Sequence, residues 1–421
     1  MSILVDHIPS LSGREQRETQ ERAQSALGQM MHGNFIPEKT FESLAGKLLL
    51  LLVVILMCIG ILAVYSSGAG WAVTKFDNDA YFLWRQAAYA LLGLLVIFIV
   101  GGMDYKLLKK WSKTILIISL VLLAMLLVLK SLGVIHGAAR WIGYGRFKFQ
   151  ASDLAKYALI IHLATMLAEK QRYIKDLERA YYPMLTVIIA VGSLVALEPN
   201  FSTASVLVVI GFTMLFIGGA SLKHLVLTLV PVSALAAIFA VSASYRMERL
   251  MSFMGIGSQK ASYQVEQALI GLGNGGLTGL GIGASKQREL FLPASYNDFI
   301  FAIFGEEYGF IGALVLLLLF GGIIVCGVLI AQSALDDFGK FLAYGITVAI
   351  GLYAFINAGV ACHLLPTTGL PMPFVSFGGS AMLFNAFGVG VLISISRERK
   401  RLASAKKDAQ ANAASAIPKR D

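Results

Sequence analysis

Charged residues are scarce in this chain, and their scarcity excludes an ordinary soluble protein. Only 14% of the 421 residues are charged and 57% are hydrophobic, whereas a soluble domain carries about 25% charged and 45–50% apolar residues. Long stretches contain no Lys, Arg, Asp or Glu, among them 48–74, 86–103, 114–129, 308–335 and 341–396. A membrane-spanning helix needs about 20 consecutive apolar residues. These runs therefore predict an integral membrane protein.

Cysteine is also scarce, and its pattern indicates neither a disulfide framework nor a metal site. The three cysteines, Cys58, Cys326 and Cys362, lie within or beside apolar runs at no ligand spacing. Packing within the membrane explains them better than disulfide or metal chemistry. Residues 1–46 have mixed charge and precede the first apolar run, which predicts a mobile tail rather than a cleavable signal peptide.

The apolar runs predict an all-α, polytopic protein with about ten transmembrane helices, because lipid cannot satisfy the hydrogen bonds of an open backbone. The predicted spans are 47–66, 86–103, 114–130, 154–168, 181–198, 203–220, 225–243, 308–331, 341–360 and 378–396. The fourth span is the weakest, because its uncharged core is short. The chain thus divides into an N-terminal tail, 1–46, a transmembrane domain, 47–396, and a basic tail, 397–421, that is expected to be disordered after Arg401.

Lysine and arginine indicate the orientation of the spans. They cluster in 106–113, 170–179 and 397–401, and the positive-inside rule assigns these segments and both termini to the cytoplasm. The loop 130–148 is also basic but falls on the opposite side, so the bias is incomplete. Segment 244–307, between the seventh and eighth spans, becomes a large extracytoplasmic loop. The net charge of +10 then reflects orientation and anionic lipid rather than nucleic acid.

A glycine-rich stretch lies inside the long loop. Gly271, Gly273 and Gly276 formally satisfy the GxGxxG pattern of dinucleotide-binding proteins. That site requires a preceding strand and a βαβ unit, and neither is predicted here. We therefore interpret the glycines as positions of close helix packing or flexible backbone.

Three carboxylates follow the glycines, next to an apolar run. Asp298 precedes Phe-Ile-Phe, and Glu306 and Glu307 lead into the eighth span. Asn297 or Asp298 could cap the following helix, where acidic residues suit the helix dipole. Alternatively, Asp298 is a catalytic carboxylate, because desolvation raises a carboxyl pKa toward that of a useful general base. The residues alone leave both interpretations open.

Arg140 and Trp141 form a second polar break in the apolar pattern. A cation beside a Trp at a membrane surface can bind a phosphate or diphosphate while the ring contacts lipid or sugar. An ordinary interfacial anchor explains Trp141 equally well. Lys156 enters an apolar helix and needs a partner, which Asp153 can supply at i,i+3 spacing.

The last polar break is 366–380, where three prolines and three glycines lie within fifteen residues. Such a segment cannot form a regular helix. Non-helical backbone at membrane depth is tolerated only where protein buries it or it lines a cavity. We therefore predict that this segment, which includes Ser376, Gly378 and Gly379, walls a polar cavity.

Together these motifs resemble the SEDS family of peptidoglycan glycosyltransferases, which includes FtsW and RodA. The resemblance covers roughly residues 48–400, and the segments that carry it are 140–156, 198–203, 275–307 and 368–380. The chain departs from the family's usual residues at four places: Ala151 for Pro, Asn200 for Asp, Tyr296-Asn297 for His-Thr, and Phe377 for Tyr. The change at Asn200 weakens a role for a second carboxylate in that loop.

The resemblance implies polymerisation of lipid II into glycan strands at the outer face of the bacterial cytoplasmic membrane. Asp298 would deprotonate the 4-hydroxyl of the acceptor sugar, and a direct displacement would invert the anomeric centre. The charges of Arg140, Lys156 and Lys286 suggest that these residues bind the diphosphate. The full set of expected substrate-binding residues is Arg140, Trp141, Lys156, Lys286, Glu306, Ser376, Gly378 and Gly379.

The resemblance also implies a partner, a class B penicillin-binding protein that supplies transpeptidation. No cofactor is required by the sequence; a divalent cation, Mg²⁺ or Mn²⁺, would suit the diphosphate, but no ligand cluster indicates one. The two tails favour the division branch, with divisome proteins and a septal location. The wording of the last loop, Thr-Gly-Leu-Pro, is shared with the elongation branch, which stays an alternative.

Two other classes of function are compatible with the composition. A lipid II flippase or other transporter would also need a polar cavity, but it would more naturally show paired inverted repeats. A non-catalytic scaffold would not explain Asp298, Lys156 and Arg140 near apolar surroundings. The enzyme is favoured over both, chiefly on the resemblance.

Overall fold

The computed structural model describes residues 38–134, 140–144, 147–256, 259–287 and 296–415. The chain divides into two compact units, 1–44 and 45–421. Of the first unit, only 38–44 are described, and the helix bundle discussed below belongs to the second. Most of the predicted N-terminal tail and residues 416–421 lie outside the described residues, as do 288–295 of the predicted long loop.

The chain forms a helical bundle with one small β-hairpin. In chain order the elements are α1 (Glu38–Phe76), α2 (Tyr81–Gly102), α3 (Lys106–Ser131), β1 (Trp141–Tyr144), β2 (Phe147–Gln150), α4 (Ala151–Lys170), α5 (Tyr182–Leu197), α6 (Phe201–Ile217), α7 (Leu222–Val241), α8 (Ser244–Phe253), α9 (Gln259–Gly275), α10 (Ile300–Gln332), α11 (Asp337–Ala361) and α12 (Gly379–Ser415). A 3₁₀ turn (Gln171–Tyr173) and a π-helical turn (Leu177–Tyr181) connect α4 to α5.

The ten predicted spans are confirmed as helices. Within the described residues, nine helical segments are long and apolar enough to cross a membrane, and the sixth predicted span is the shorter apolar helix α6. With 17 residues, α6 is at the lower limit of length for a span. The antiparallel hairpin β1–β2 pairs Trp141 with Gln150 and adds a small irregularity to the all-α architecture.

Helix α4 explains why its span was the weakest in the sequence. In its most apolar window, 83% of the residues are buried inside the protein. It packs against α3, α5, α6, α11 and α12, so protein rather than lipid surrounds it. A helix in such a position can carry polar residues that find partners on neighbouring helices. In α7, by contrast, only 6% of the corresponding window is buried.

The predicted long loop 244–307, between the spans α7 and α10, is not irregular throughout. It contains the helices α8 and α9, and the first residues of α10 also belong to it. Helix α9 packs along α10. Helix α8 contains Arg246, Glu248 and Arg249 within ten residues. Because of these charges, the sequence pattern indicated a loop here rather than a helix.

The backbone of the glycine-rich stretch is hydrogen-bonded to the backbone of α10, in agreement with the predicted close packing. Helix α10 is broken at Gly309, whose φ of 67° lies in the left-handed region. Across the break, the N–H of Phe310 donates to the carbonyl of Gly276 at 2.9 Å. Gly279 also has a positive φ, and a Cβ placed there would overlap the carbonyl oxygen of Glu307. Only glycine fits both positions, because a side chain would separate the two backbones.

Helix α12 continues beyond the membrane-spanning part, which corrects the expectation of disorder after Arg401. The helix extends to Ser415. Its last two turns are rich in alanine, the residue with the highest helix propensity. A compositional argument for disorder therefore underestimated this segment.

We expect Gly279→Ala to destabilise the protein by roughly 2–5 kcal/mol, because a left-handed residue costs about 1–2 kcal/mol and overpacking about 1–3 kcal/mol more. Two control variants separate the cost of the left-handed conformation from the cost of overpacking. Gly281 has a φ of 104° but nothing near its Cβ position, so Gly281→Ala should lose only the conformational part. Gly321 has open space around it and lies inside a helix, so Gly321→Ala should be neutral or stabilising. Thermal unfolding in detergent measures all three; equal midpoints for Gly279→Ala and Gly321→Ala would contradict the close-packed joint.

Candidate active site

A cavity of about 550 Å³ lies at one end of the bundle. We call this the cavity end; α4, α6, α10 and α12 begin there. Its walls come from the hairpin, the beginning of α6, helix α8, the residues before α10 and the loop between α11 and α12. The prediction that 366–380 walls a cavity is confirmed, since all of 366–371, together with Phe377 and Gly378, line it.

Asp298 lies in the cavity wall, immediately before α10. The N-cap of α10 is Phe299 and no side chain caps the helix, so the capping interpretation of Asn297 and Asp298 is wrong. One carboxylate oxygen of Asp298, Oδ1, is buried and has no hydrogen-bond partner. Burial raises the pKa of Asp298 above its usual range, while Arg249 and Arg140 oppose this shift. The carboxylate is thus a desolvated base with cations nearby.

Three arginines line the cavity, one from the hairpin and two from α8. Arg140, at the start of the hairpin, donates to the carbonyl of Pro199. Arg249, on α8, donates to the carbonyl of Thr367 at 3.3 Å. Arg246, one turn earlier on α8, places its guanidinium carbon 3.9 Å from the centre of the Phe239 ring. The sequence reasoning missed both α8 arginines; their i,i+3 spacing, which puts them on one helix face, could have revealed them.

Lys156 does not line the cavity, although a substrate contact was predicted for it. Its side chain is 1% exposed. Its ammonium lies 3.9 Å from Asp153 Oδ1, which confirms the predicted pair, and donates to Asn385 at 3.3 Å. It also lies 4.4 Å from the centre of the Tyr353 ring. Asp153 and Tyr353 do face the cavity, so the lysine charge lies one layer behind the wall.

Four other predicted substrate ligands also lie outside the cavity lining. Glu306 is fully buried and accepts hydrogen bonds from the Ser285 hydroxyl and the Gln287 N–H, so it anchors the segment after the glycines. The Ser376 hydroxyl donates to the carbonyl of Asn297 at 2.6 Å. Lys286 is exposed but does not line the cavity. Gly379 packs against the ring of Tyr89. Trp141 and Gly378 do line the cavity.

Glu198 is a buried carboxylate beside the cavity. Its side chain is fully buried and neither oxygen has a hydrogen-bond partner. Burial raises its pKa to about 8, and Arg140 opposes the shift. The surroundings of Glu198 therefore favour its neutral form, against the opposing charge of Arg140.

The residues that the structure describes do not form a metal site. Among the described residues, no group of three or more His, Cys, Asp or Glu is arranged to hold an ion. The carboxylates of Asp153, Glu198 and Asp298 lie in or beside the cavity wall, but they do not form such a group.

Comparison with known proteins supports the resemblance drawn from the motifs. The family described as "Cell cycle protein", FtsW/RodA/SpoVE, matches residues 47–401. Stage V sporulation protein E of Bacillus subtilis is 37% identical over 357 residues, which cover 83% of this chain and 96% of that protein. The "Probable peptidoglycan glycosyltransferase FtsW" of Geobacter metallireducens is 34% identical over 354 residues, with 84% and 94% covered.

Solved structures share the fold. One, described as "Structural coordination of polymerization and crosslinking by a peptidoglycan synthase complex", superposes with a TM-score of 0.67 at 25% identity and covers 83% of this chain and 97% of that one. The rod shape determining protein RodA of Thermus thermophilus superposes with a TM-score of 0.61 at 24% identity, with 83% and 96% covered. The chain therefore belongs to the FtsW/RodA/SpoVE family.

Proposed function

We propose that this multi-pass membrane protein is a peptidoglycan glycosyltransferase that polymerises lipid II into glycan strands. One observation carries the proposal. A carboxylate that caps no helix and has one buried oxygen, Asp298, lies in an arginine-lined cavity at one end of a membrane bundle. The names of the curated relatives, probable peptidoglycan glycosyltransferases among them, support this chemistry.

In the proposed reaction, Asp298 accepts the proton of the acceptor sugar's 4-hydroxyl. The hydroxyl oxygen attacks the anomeric carbon of the donor, a new glycosidic bond forms, and the bond from that carbon to the diphosphate breaks. The electron pair leaves with the undecaprenyl diphosphate, and the anomeric centre inverts in a single displacement. A raised pKa suits Asp298 to this role, because a stronger base accepts the proton more readily.

The leaving diphosphate gains negative charge as the bond breaks, and the arginines are suited to stabilise it. Guanidinium groups bind phosphate oxygens through pairs of parallel hydrogen bonds. Arg140 and Arg249 are the two cations whose charges act on Asp298, so the diphosphate bound between them would lie next to the base. The N-terminus of α6, which no side chain caps, adds a favourable dipole on the same side.

The proposed setting follows from the orientation. Both termini are assigned to the cytoplasm and the cavity end to the outer face of the bacterial cytoplasmic membrane, where lipid II is polymerised. A class B penicillin-binding protein would crosslink the strands, which agrees with the structural likeness to a peptidoglycan synthase complex. Division at the septum, with the divisome, is favoured over elongation by the two tails of the chain and by the FtsW name of the Geobacter metallireducens relative.

We expect Asp298→Asn to lower glycan-strand synthesis from fluorescent lipid II by about 100- to 10,000-fold, because general-base catalysis contributes that much. The side chains have nearly the same shape, so folding should be unaffected. Asp77→Asn is the matched control: Asp77 is an exposed carboxylate at the same end of the bundle, and this variant should keep full activity. Polymer from Asp298→Asn would remove the residue from the mechanism, and none from wild type with its partner would favour the transporter.

Arg249→Gln should lower the polymerisation rate by about 10- to 100-fold, because it removes a charge-assisted hydrogen bond to the diphosphate. It should also move the acidic limb of the pH–rate profile to higher pH. Arg249 opposes the rise in the pKa of Asp298, so its removal raises that pKa further and more base is protonated at a given pH. Arg249→Lys keeps the charge and should leave the limb nearly in place. An unchanged limb in Arg249→Gln would contradict the assignment.

A further inference from the structure

We propose that Asn357 and Ser376 are positioning residues that fix Asp298 through its backbone rather than its carboxylate. The inference rests on the proposed function of Asp298 as the base. The side-chain hydrogen bonds of both residues are directed to backbone groups, so this role replaces the substrate contact that the sequence suggested for Ser376.

Three consecutive carbonyls of the segment that ends at Asp298 each accept a hydrogen bond from a distant part of the chain. The donors are the N–H of Phe377 to Tyr296 O at 3.0 Å, the hydroxyl of Ser376 to Asn297 O at 2.6 Å, and the amide of Asn357 to Asp298 O at 3.0 Å. The segment is non-helical, so its carbonyls have no regular intrahelical partners. The three donors fix its direction residue by residue.

Asn357 links the base to the last loop. It is 1% exposed on α11, and the same amide nitrogen donates to the carbonyl of Leu370 at 2.8 Å. Both amide hydrogens are thus directed at carbonyls, which settles the orientation of the amide. Gly369, just before Leu370, has a φ of 70°, and a Cβ there would lie 3.4 Å from Asp298 Oδ2. One side chain therefore sets the distance between the carboxylate and the loop that faces it.

Ser376 closes the network from the other side of the segment. While it donates to Asn297, its hydroxyl accepts the N–H of Met372 at 2.8 Å. It is buried, so removal of the hydroxyl would leave an unpaired N–H and an unpaired carbonyl. The turn 372–376 and the catalytic segment consequently move as one body.

A base held in this way keeps its reactive oxygen unoccupied. Donors bonded directly to a carboxylate stabilise its charged form and weaken it as a base. Asp298 Oδ1 has no such donor, so the position of the carboxylate must be fixed through the main chain. Small errors matter, because a misplacement of about 1 Å can cost roughly 100-fold in rate.

The test compares Asn357→Ala and Ser376→Ala with wild type in lipid II polymerisation. Both variants should lose kcat by roughly 10- to 100-fold, with KM changed by no more than about threefold because no substrate contact is removed. Ser376→Thr keeps the hydroxyl and should restore most of the rate. Ser394→Ala is the matched control: its buried hydroxyl donates to the carbonyl of Met103 at 2.5 Å, at the opposite end of the bundle. It should lose stability but not kcat.

A second measurement does not depend on activity. Hydrogen exchange in peptides covering 296–304 should be roughly fivefold faster in Asn357→Ala and Ser376→Ala, as expected for one lost hydrogen bond, and unchanged in Ser394→Ala. Unchanged exchange in the first two variants would overturn the proposal, whether or not polymer forms. Faster exchange with normal kcat would also overturn it. Inactive wild type with faster exchange in the variants would reject the proposed function while the backbone restraint stands.

Discussion

Hydrocarbon offers no hydrogen-bond partner to a backbone N–H or carbonyl, and the architecture follows from that constraint. The spans satisfy it internally. Where the chain leaves helical geometry near the cavity, the irregular segments pair with each other. The glycine-rich stretch bonds across the break in α10, and the last loop provides donors to the carbonyls before α10. The cavity is thus enclosed by irregular backbone whose polar groups are largely satisfied by protein.

The carboxylates near the cavity have the same chemistry but different surroundings. Glu306 accepts hydrogen bonds from three residues and so serves as an anchor. Asp153 is paired with Lys156 and accepts from Ser380 at 2.8 Å. Asp298 keeps one oxygen without a partner. Environment rather than residue type therefore distinguishes the proposed base from its structural neighbours.

Much of the fold was predictable. The spans follow from hydropathy, and the close packing of the glycines follows because their GxGxxG spacing lacks the strand and βαβ unit of a dinucleotide-binding site. The motifs also indicated Asp298, Arg140 and the last loop. The contacts of individual side chains were not predictable. Sequence cannot distinguish a carboxylate that faces a cavity from one that anchors a loop; Glu306, expected to bind substrate, lies outside the cavity lining and accepts hydrogen bonds from protein. Helix α8 was missed because a short, charged, amphipathic helix resembles a loop when each residue is considered alone.

The break at Gly309 also determines how the protein matches its bilayer. An unbroken α10 of 33 residues would be about 50 Å long, far more than the roughly 30 Å of hydrocarbon it must cross. The part after the break, 310–332, is about 35 Å long and fits with a modest tilt. Because the glycine-rich stretch is bonded to residues on both sides of the break, the break is a fixed joint, and the span after it matches the bilayer while the residues next to Asp298 stay in place.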